Sequence, residues 1–220
     1  MKVFIVGANG QIGRQLVHKL QERQDQVTAG VRKPAEQALV KSENVNYVHF
    51  DLNWTIEKMA ETFKDQDIVI FAAGSRGEDL LKIDLDGAIK TMKAAEKNNI
   101  KRYQLVSTVN ADDRQAWPGD LHDYFIAKHY ADEWLSHRTN LDYVIIRPVQ
   151  LTNDKGSDQV QVSLNGKLGL DHQVSRENVA GVMAELVHRP EINKAEISIA
   201  DGQTDLTKAV NQLSSKEWKL

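Results

Sequence analysis

A tyrosine and a lysine lie four residues apart in the segment Tyr124-Phe125-Ile126-Ala127-Lys128. In a helix this spacing places both side chains on one face, one turn apart. A phenol is a weak acid near neutral pH, and a neighbouring ammonium group favours its ionised form. The pair can therefore exchange a proton with a bound molecule. A helix in which the tyrosine packs and the lysine is solvated explains the same pattern, so the position of the pair in the fold must decide.

A glycine-rich turn lies between the first predicted strand and the first predicted helix. It reads Gly7-Ala8-Asn9-Gly10-Gln11-Ile12-Gly13. In dinucleotide-binding folds such a loop lets the backbone approach a pyrophosphate, and the next helix presents free N–H groups and a partial positive charge to it. A Walker-type phosphate loop is excluded, because neither Gly-Lys-Ser nor Gly-Lys-Thr follows, and an ordinary glycine turn is the alternative. The residues predicted to bind a dinucleotide here are Gly7, Asn9, Gly10, Gln11, Ile12 and Gly13.

The end of the second predicted strand indicates which dinucleotide binds. NAD-preferring proteins usually carry Asp or Glu there, which accepts hydrogen bonds from the ribose hydroxyls. This chain has no acid at that point and instead has two adjacent cations, Arg32 and Lys33. A guanidinium group suits a 2′-phosphate with two hydrogen bonds, and the lysine adds a second charge. We therefore predict that NADP(H) is preferred over NAD(H), with Arg32 as the main contact; the alternative is that both side chains are solvated and the preference is slight.

The segments around these residues alternate between short β-branched or aromatic runs and longer amphipathic stretches, as in repeated β-α-β units. Strands are predicted at residues 2–6, 26–31, 47–50, 67–72, 102–107 and 142–147. Helices are predicted at residues 11–24, 34–42, 55–63, 84–98 and 121–138, with Asp84 as the N-cap of the fourth. Several strands are nearly continuous apolar runs, which favours a parallel sheet covered on both faces.

The pattern changes after Pro148. A stretch containing Gly and Asp extends to about Leu170, followed by a predicted helix at residues 176–188, a strand at 195–200 and a last helix at 204–213. With 220 residues, the chain fits one domain. We predict an α/β fold, a Rossmann-type doubly wound parallel sheet over residues 1–220. Residues 149–170 and the final helices would form a small C-terminal cap over the carboxyl ends of the strands, where ligands bind in such sheets.

Composition and charge exclude several classes of function. Without cysteine, the chain has no disulfide, thiol nucleophile, cysteine-ligated zinc or iron–sulfur cluster. A net charge of −3 with dispersed Lys and Arg gives no electrostatic basis for binding nucleic acid. The apolar runs are too short for a membrane span, and the histidines form no H-E-x-x-H or i,i+4 pair. We expect a cytoplasmic protein that binds a small-molecule substrate, without nucleic acid, membrane or metal; its oligomeric state stays open.

Further short motifs follow the glycine turn in order along the chain. They are Phe50-Asp51-Leu52, Phe71-Ala72-Ala73-Gly74-Ser75, Asp84-Leu85-Asp86-Gly87-Ala88, Leu141-Asp142-Tyr143 with Arg147-Pro148, and the run from Val174 to Ala180. Together with the G-x-x-G-x-x-G spacing, they resemble the short-chain dehydrogenase/reductase superfamily over essentially the full chain, in particular its atypical NAD(P)H-binding branch. The resemblance implies that Asp51 and Leu52 contact the adenine, and that Ala72, Ala73 and Gly74 lie beside the nicotinamide ribose.

The same resemblance assigns roles to the tyrosine and the lysine. The Y-x-x-x-K sequence opens the helix after the fifth predicted strand, where this superfamily carries its catalytic pair. The resemblance implies that Tyr124 passes a proton to the carbonyl oxygen of a substrate during hydride transfer. It also implies that Lys128 holds the nicotinamide ribose.

The third catalytic group of the superfamily is usually a serine at the end of the fifth strand. This chain reads Leu105-Val106-Ser107-Thr108-Val109-Asn110 there. Ser107 and Thr108 are the candidates for a hydroxyl that supports the reacting oxygen. Val109 stands where many relatives have their hydroxyl, and a valine at the catalytic position would weaken oxyanion stabilisation.

These observations predict an NADP(H)-dependent oxidoreductase that acts on a small carbonyl, a quinone or a related acceptor. A non-catalytic NAD(P)H-binding sensor is the first alternative: Val109 favours it, whereas Tyr124 and Lys128 argue against it. Nucleotide-sugar epimerisation is the second. Such enzymes usually have a larger C-terminal substrate domain, for which the residues after Arg147 leave little room.

Overall fold

A nine-stranded sheet forms the centre of the computed structural model, which describes residues 1–164, 168–169 and 171–216. The strands are β1 (Lys2–Val6), β2 (Gln26–Val31), β3 (Val45–His49), β4 (Ile68–Phe71), β5 (Arg102–Val106), β6 (Asp142–Pro148), β7 (Gln150–Thr152), β8 (Gln159–Leu164), β9 (Gln173–Ser175), β10 (Ala195–Asp201) and β11 (Thr204–Asp205). The order in the sheet is β11-β8-β10-β6-β5-β4-β1-β2-β3, and β7 pairs with β9 separately. Every pair from β10 to β3 is parallel, whereas β8 runs antiparallel to β10 and β11.

Helices cover both faces of this sheet. They are α1 (Gln11–Glu22), α2 (Pro34–Gln37), α3 (Ile56–Thr62), α4 (Ala88–Lys97), α5 (His122–Arg138), α6 (Arg176–Val187) and α7 (Leu206–Lys216). α1, α6 and α7 contribute to the core on one face, and α3, α4 and α5 contribute to the core on the other. The predicted α/β fold with a doubly wound parallel sheet is therefore confirmed. No helix in the described part of the chain is both long enough and apolar enough to span a membrane.

The two cores meet at the neighbouring strands β1 and β4. The helix that follows β1 packs on one face of the sheet, and the helix that follows β4 packs on the opposite face. This change of direction opens a crevice at the carboxyl ends of β1 and β4, which is where open α/β sheets bind ligands. The fold thus places the glycine loop and the loop after β4 on either side of one crevice.

The C-terminal segment differs from the predicted cap. α6 packs against α1, and α7 packs against α6 and β8, so the final helices flank the sheet and do not cover the carboxyl ends of its strands. α6 is buried over most of its length, as a helix between two others must be. Residues 159–164 extend the sheet as β8 and cover the open edge of β10, which would otherwise expose unpaired backbone groups. Leu170 and residues 217–220 lie outside the described residues.

Asp84 was predicted as a helix N-cap, and this prediction is wrong. The residue lies inside a π-helical segment, Leu80–Gly87, that leads into α4. Its Oδ2 accepts a hydrogen bond of 2.9 Å from the backbone N–H of Ser75, in the loop after β4. The carboxylate therefore bonds to a neighbouring loop and not to its own helix, and π-helical turns of this kind are frequent at functional sites.

The second predicted helix, at residues 34–42, is also shorter than expected, because α2 ends at Gln37. The polar groups that follow find partners outside a helix. The Val40 N–H donates to the Tyr47 hydroxyl, and the Asn44 amide donates to the backbone carbonyls of Gln21 and Asp25.

Candidate dinucleotide-binding and catalytic site

The glycine loop between β1 and α1 is the first part of the candidate site. Gly7 has φ +82°, which side chains rarely tolerate, and a Cβ there would lie 2.7 Å from the backbone of Ala73. At Gly13 a Cβ would collide with the Gly7 carbonyl oxygen, so the start of α1 packs closely on the loop. Gly10 caps α1 without a side chain, and the first turn contains no acid. The N–H groups of that turn have no intrahelical acceptor and are available to a phosphate.

The other predicted loop residues take different orientations. The Asn9 Oδ1 accepts a hydrogen bond of 2.9 Å from Arg14 Nε, and Gln11 Nε2 donates to Asn153 Oδ1 at 3.2 Å. The Ile12 side chain is buried in the core against the helices of that face. Only the backbone of Ile12 therefore faces a ligand.

The residues predicted for the adenosine half follow β2 and β3. Arg32 and Lys33 come directly after β2 and are exposed. Asp51 Oδ1 accepts hydrogen bonds of 2.8 and 2.9 Å from the backbone and side-chain N–H groups of Asn53, and Leu52 packs on the core beside α4. Because β1, β2 and β3 are adjacent and parallel, the structure brings these residues to the same edge as the glycine loop.

The loop after β4 forms the opposite side of the crevice. Ala73 lies against Gly7, and Gly74 leaves room for the Asp84 carboxylate, which would lie 3.3 Å from a Cβ there. Within the described residues, the Ser75 hydroxyl oxygen is buried and has no hydrogen-bond partner. A buried hydroxyl without a partner is unusual in a folded protein. A sugar hydroxyl in the crevice would satisfy it, so this loop and the glycine loop fit a dinucleotide.

Lys128 and Tyr124 lie at the start of α5, beside the carboxyl end of β5. Lys128 is only 3% exposed, its Nζ donates to the Val106 carbonyl oxygen at 3.1 Å, and it lies 3.5 Å from Asp84 Oδ1. The Tyr124 ring centroid is 5.7 Å from the same Nζ. Tyr124 is half-buried, and its hydroxyl bonds to no described residue. The structure therefore brings the two side chains together, with the lysine fixed and the phenol available.

Ser107 points to a different cluster. Its Oγ donates to Asp132 Oδ2 at 2.9 Å, and Arg147 donates to the same oxygen from Nε at 3.2 Å and from Nη2 at 3.1 Å. Arg147 Nη1 also lies 3.2 Å from Asp112 and 2.7 Å from Glu196. This group of five side chains, of which Ser107, Asp132 and Arg147 are buried, is named here the Arg147 cluster; it ties α5, β6, β10 and the loop after β5 together.

The charges of the Arg147 cluster are strongly perturbed. Burial raises the pKa of Asp132 to about 7, although Arg147 and Ser107 both favour its ionised form. Burial opposes the charge of Arg147 as well, but the nearby carboxylates outweigh it and raise the pKa of that guanidinium. The pKa of Glu196 is also raised by burial. The cluster therefore holds one cation among three acids, of which Asp132 titrates near neutral pH.

Thr108 and Val109 complete the end of β5. Thr108 is half-buried, and its hydroxyl bonds to no described residue. Val109 is 2% exposed and packs in the core with Val106 and Val149. Of the two predicted hydroxyls, Ser107 is engaged and Thr108 is available.

Among the residues that the structure describes, no group of three or more His, Asp or Glu could hold a metal ion.

The sequence did not single out Ser75, Asp132 or Arg147 as site residues. Asp132 and Arg147 are charged residues at buried positions.

Comparisons with known proteins agree with this geometry. A family model described as NAD(P)H-binding matches residues 7–190. The chain is 37% identical over 219 residues to a Bacillus subtilis protein named uncharacterized sugar epimerase YhfK, covering 97% of this chain and 100% of that protein. It superposes on the oxidoreductase ylbE from Lactococcus lactis with a TM-score of 0.90 at 39% identity, covering 97% and 96% of the two chains.

A more distant structure shares the fold alone. It is a short-chain dehydrogenase/reductase from Veillonella parvula in complex with NADP, with a TM-score of 0.76 at 20% identity and coverage of 94% and 97% of the two chains. The family model covers most of this chain, and the resemblance inferred from its motifs is confirmed. The chain belongs to the NAD(P)H-binding family of Rossmann-fold proteins.

Proposed function

We propose that this protein is an NADP(H)-dependent oxidoreductase that reduces a small carbonyl compound, a quinone or a related acceptor. The observation that carries the proposal is the Tyr124–Lys128 face of α5, which lies at the carboxyl end of β5 with Lys128 bonded to the Val106 carbonyl. The glycine loop and the unpartnered Ser75 hydroxyl support dinucleotide binding at the same edge.

The proposed chemistry uses the available phenol as an acid. When bound, the dinucleotide supplies a hydride to the acceptor carbon. Tyr124 Oη donates its proton to the acceptor oxygen, where negative charge develops. Lys128 stays fixed between Val106 and Asp84, and it contributes a positive charge beside the tyrosine and a donor toward the nicotinamide ribose.

The developing oxyanion needs a further donor. Thr108 has a hydroxyl at the end of β5 that is free of the described hydrogen bonds, whereas Ser107 donates to Asp132. We assign the supporting donor to Thr108 for this reason. The buried Val109 side chain takes no part, since it packs in the core.

The preference for NADP(H) is tested by direct titration. Arg32 is exposed beside the glycine loop and has no ion pair in the described part of the chain. Loss of a bidentate contact to the 2′-phosphate in Arg32→Ala should raise the Kd for NADPH roughly tenfold and leave the Kd for NADH unchanged. Arg138→Ala, which removes an exposed arginine at the far end of α5, is the matched control. Equal Kd values for NADPH and NADH in the wild type would contradict the preference.

The reaction is tested by NADPH oxidation with a panel of aldehydes, ketones and quinones. Turnover of at least one of them, with stoichiometric loss of NADPH, is the expected result. Tight NADPH binding without turnover of any acceptor would favour the sensor function instead.

Epimerisation is a second candidate, because the 37% identical Bacillus subtilis protein carries the name of a sugar epimerase. The same residues would serve it, with the hydride returned to the substrate. An epimerase converts a sugar substrate without net oxidation of the dinucleotide, so the ratio of product formed to NADPH consumed separates the two reactions.

A further inference from the structure

The loop after β5 joins two side chains that the proposed reaction uses. It begins beside Thr108, just after β5, and leads into α5, which carries Tyr124. The Val109 N–H donates to the Pro148 carbonyl oxygen at 3.0 Å, so the start of the loop is bonded to β6. Beyond Val109 the loop is no longer part of the sheet, and other contacts must hold it.

Side chains hold the backbone of the turn that begins with Thr108. The Ala111 N–H closes this turn by donating to the Thr108 carbonyl oxygen at 3.3 Å. Trp117 Nε1 donates to the Asn110 carbonyl oxygen at 3.0 Å, and His129 Nδ1 lies 2.9 Å from the Ala111 carbonyl oxygen. Since a carbonyl oxygen only accepts, His129 Nδ1 carries the proton and is the donor. The turn is therefore fixed from α5 as well as from β6.

Aromatic packing fixes the two donors themselves. Trp117 is 8% exposed. At centroid distances of 5.5 to 6.0 Å, its ring lies against three rings that share one face of α5, those of His122, Phe125 and His129. Tyr124 and Lys128 lie on the other side of the same helix. One side of α5 therefore serves the crevice, and the other side holds the loop that carries Thr108 to it.

We propose that His129 and Trp117 are positioning residues, which hold the turn after β5 so that the Thr108 hydroxyl is directed at the reacting oxygen. The inference rests on the proposed function, because Thr108 is the oxyanion donor assigned there. Such a donor acts only within hydrogen-bond distance of the oxygen on which charge develops. A displacement of about 1 Å can cost about a hundredfold in rate, even when the substituted residue is far from the reacting atoms.

His129→Ala removes the donor to the Ala111 carbonyl and is the first test of this role. Because the turn stays bonded to β6, kcat on an accepted carbonyl compound should fall only roughly tenfold, with the Kd for NADPH unchanged. His129→Asn should restore most of the rate, since the asparagine amide nitrogen is as many bonds from the backbone as Nδ1 is. Tyr130→Phe is the matched control: it removes the exposed 3.0 Å hydrogen bond from Arg114 in the same loop, and kcat should not change.

Trp117→Phe tests the second donor. The variant keeps a ring against α5 but loses the N–H group. Its kcat should fall by less than that of His129→Ala, because the Asp113 N–H still donates to the Asn110 carbonyl oxygen at 3.0 Å.

The Thr108→Val background separates positioning from general damage to the fold. If His129 acts through the Thr108 hydroxyl, His129→Ala should lower kcat roughly tenfold in the wild type but less than about twofold in Thr108→Val. Equal fold losses in the two backgrounds would overturn the proposal.

Hydrogen exchange in the ligand-free protein, followed by NMR, tests the anchoring without any reaction. The Ala111 amide should exchange roughly tenfold faster in His129→Ala than in the wild type, whereas the Val109 amide, which is bonded to β6, should not change. Unchanged exchange at Ala111 in an active enzyme would overturn the positioning role and leave the proposed function standing. A wild type that reduces no acceptor would overturn the proposed function, and faster exchange at Ala111 would still support the anchoring of the turn by His129.

Discussion

Lys128 and Asp132 lie one turn apart on α5, and both are 3% exposed, yet they belong to different groups. Lys128 bonds to the end of β5 and pairs with a single acid, Asp84. Asp132 belongs to the Arg147 cluster, which connects four segments of the chain. One helix therefore places a charge beside the ligand crevice and, on the next turn, a charge that holds the scaffold together.

The difference shows what each group can do. The Lys128 pair is small, lies at the crevice and leaves the Tyr124 hydroxyl unengaged. The Arg147 cluster uses the Ser107 hydroxyl, so a residue predicted to be catalytic contributes its donor to the scaffold. The following variants test whether Lys128 serves the crevice and Asp132 serves the scaffold.

Lys128→Met should have the largest effect, because it removes a charge from the crevice and leaves Asp84 buried without its partner. Breaking a buried ion pair costs about 3–5 kcal/mol of unfolding free energy. Turnover should fall at least about a hundredfold, and NADPH affinity should fall with it. Chemical denaturation, initial rates and cofactor titration measure the three quantities.

The double variant Lys128→Met with Asp84→Asn is the control for this experiment. It should recover most of the lost stability, since no unpaired charge stays buried, but it should not recover turnover. Full recovery of turnover would contradict the role of Lys128 at the crevice.

Asp132→Asn should alter the pH dependence of stability while it keeps the shape of the Arg147 cluster. The pKa of Asp132 is about 7 in the folded protein, above its ordinary value of 3.8. Between these values the folded chain holds a proton that the unfolded chain has lost, so wild-type stability falls as the pH rises through this window. The loss reaches at most about 1.4 kcal/mol per pH unit.

Thermal unfolding between pH 5 and pH 8 compares the two proteins. Asp132→Asn should show the shallower fall, and a residual slope from Glu196, whose pKa is also raised, is expected in both. Identical slopes in the wild type and the variant would show that Asp132 does not titrate in this range.

Ser107→Ala and Thr108→Val should show that the first hydroxyl stabilises the fold and the second supports turnover. Both effects should be smaller than those of Lys128→Met. Ser107→Ala removes a donor to a buried carboxylate and should cost about 1–3 kcal/mol of unfolding free energy, with a minor change in turnover. Thr108→Val should leave stability nearly unchanged and lower turnover roughly a hundredfold, as the loss of an oxyanion donor does. The reverse result, a rate loss confined to Ser107→Ala, would assign the catalytic hydroxyl to Ser107.

Most of the fold follows from the sequence. β1 and β4 are continuous apolar runs, and α1 has a regular apolar face, so local pattern and tertiary packing agree. The C-terminal segment was harder to predict: β8 alternates polar and apolar residues as a strand does, but the alternation lasts only six residues, and its place in the sheet is set by its pairing with β10. A pairing between segments distant in sequence leaves no local signal.

Only part of the site could be predicted, because the other part depends on partners that are distant in sequence. The glycine loop and the Tyr124–Lys128 pair are local patterns, and the structure brings them to one edge of the sheet. Asp84 and Asp132 acquire their roles from partners in other elements, which spacing along the chain does not reveal. A signal was present, since Lys128, Ala131, Asp132 and Leu135 follow the spacing of a buried helix face. Charged residues at buried positions need partners, and this requirement points to both the Lys128–Asp84 pair and the Arg147 cluster.

The most direct test of the proposed chemistry is the rate of NADPH oxidation by Tyr124→Phe on an acceptor that the wild type reduces. The substitution removes one hydroxyl that bonds to no described residue, so folding and NADPH affinity should stay at wild-type values. Turnover at saturating NADPH should fall by about 10²–10⁴-fold, the usual effect of a lost general acid. A Tyr124→Phe protein that binds NADPH normally and retains the full wild-type rate would contradict the assignment of Tyr124 as the proton donor.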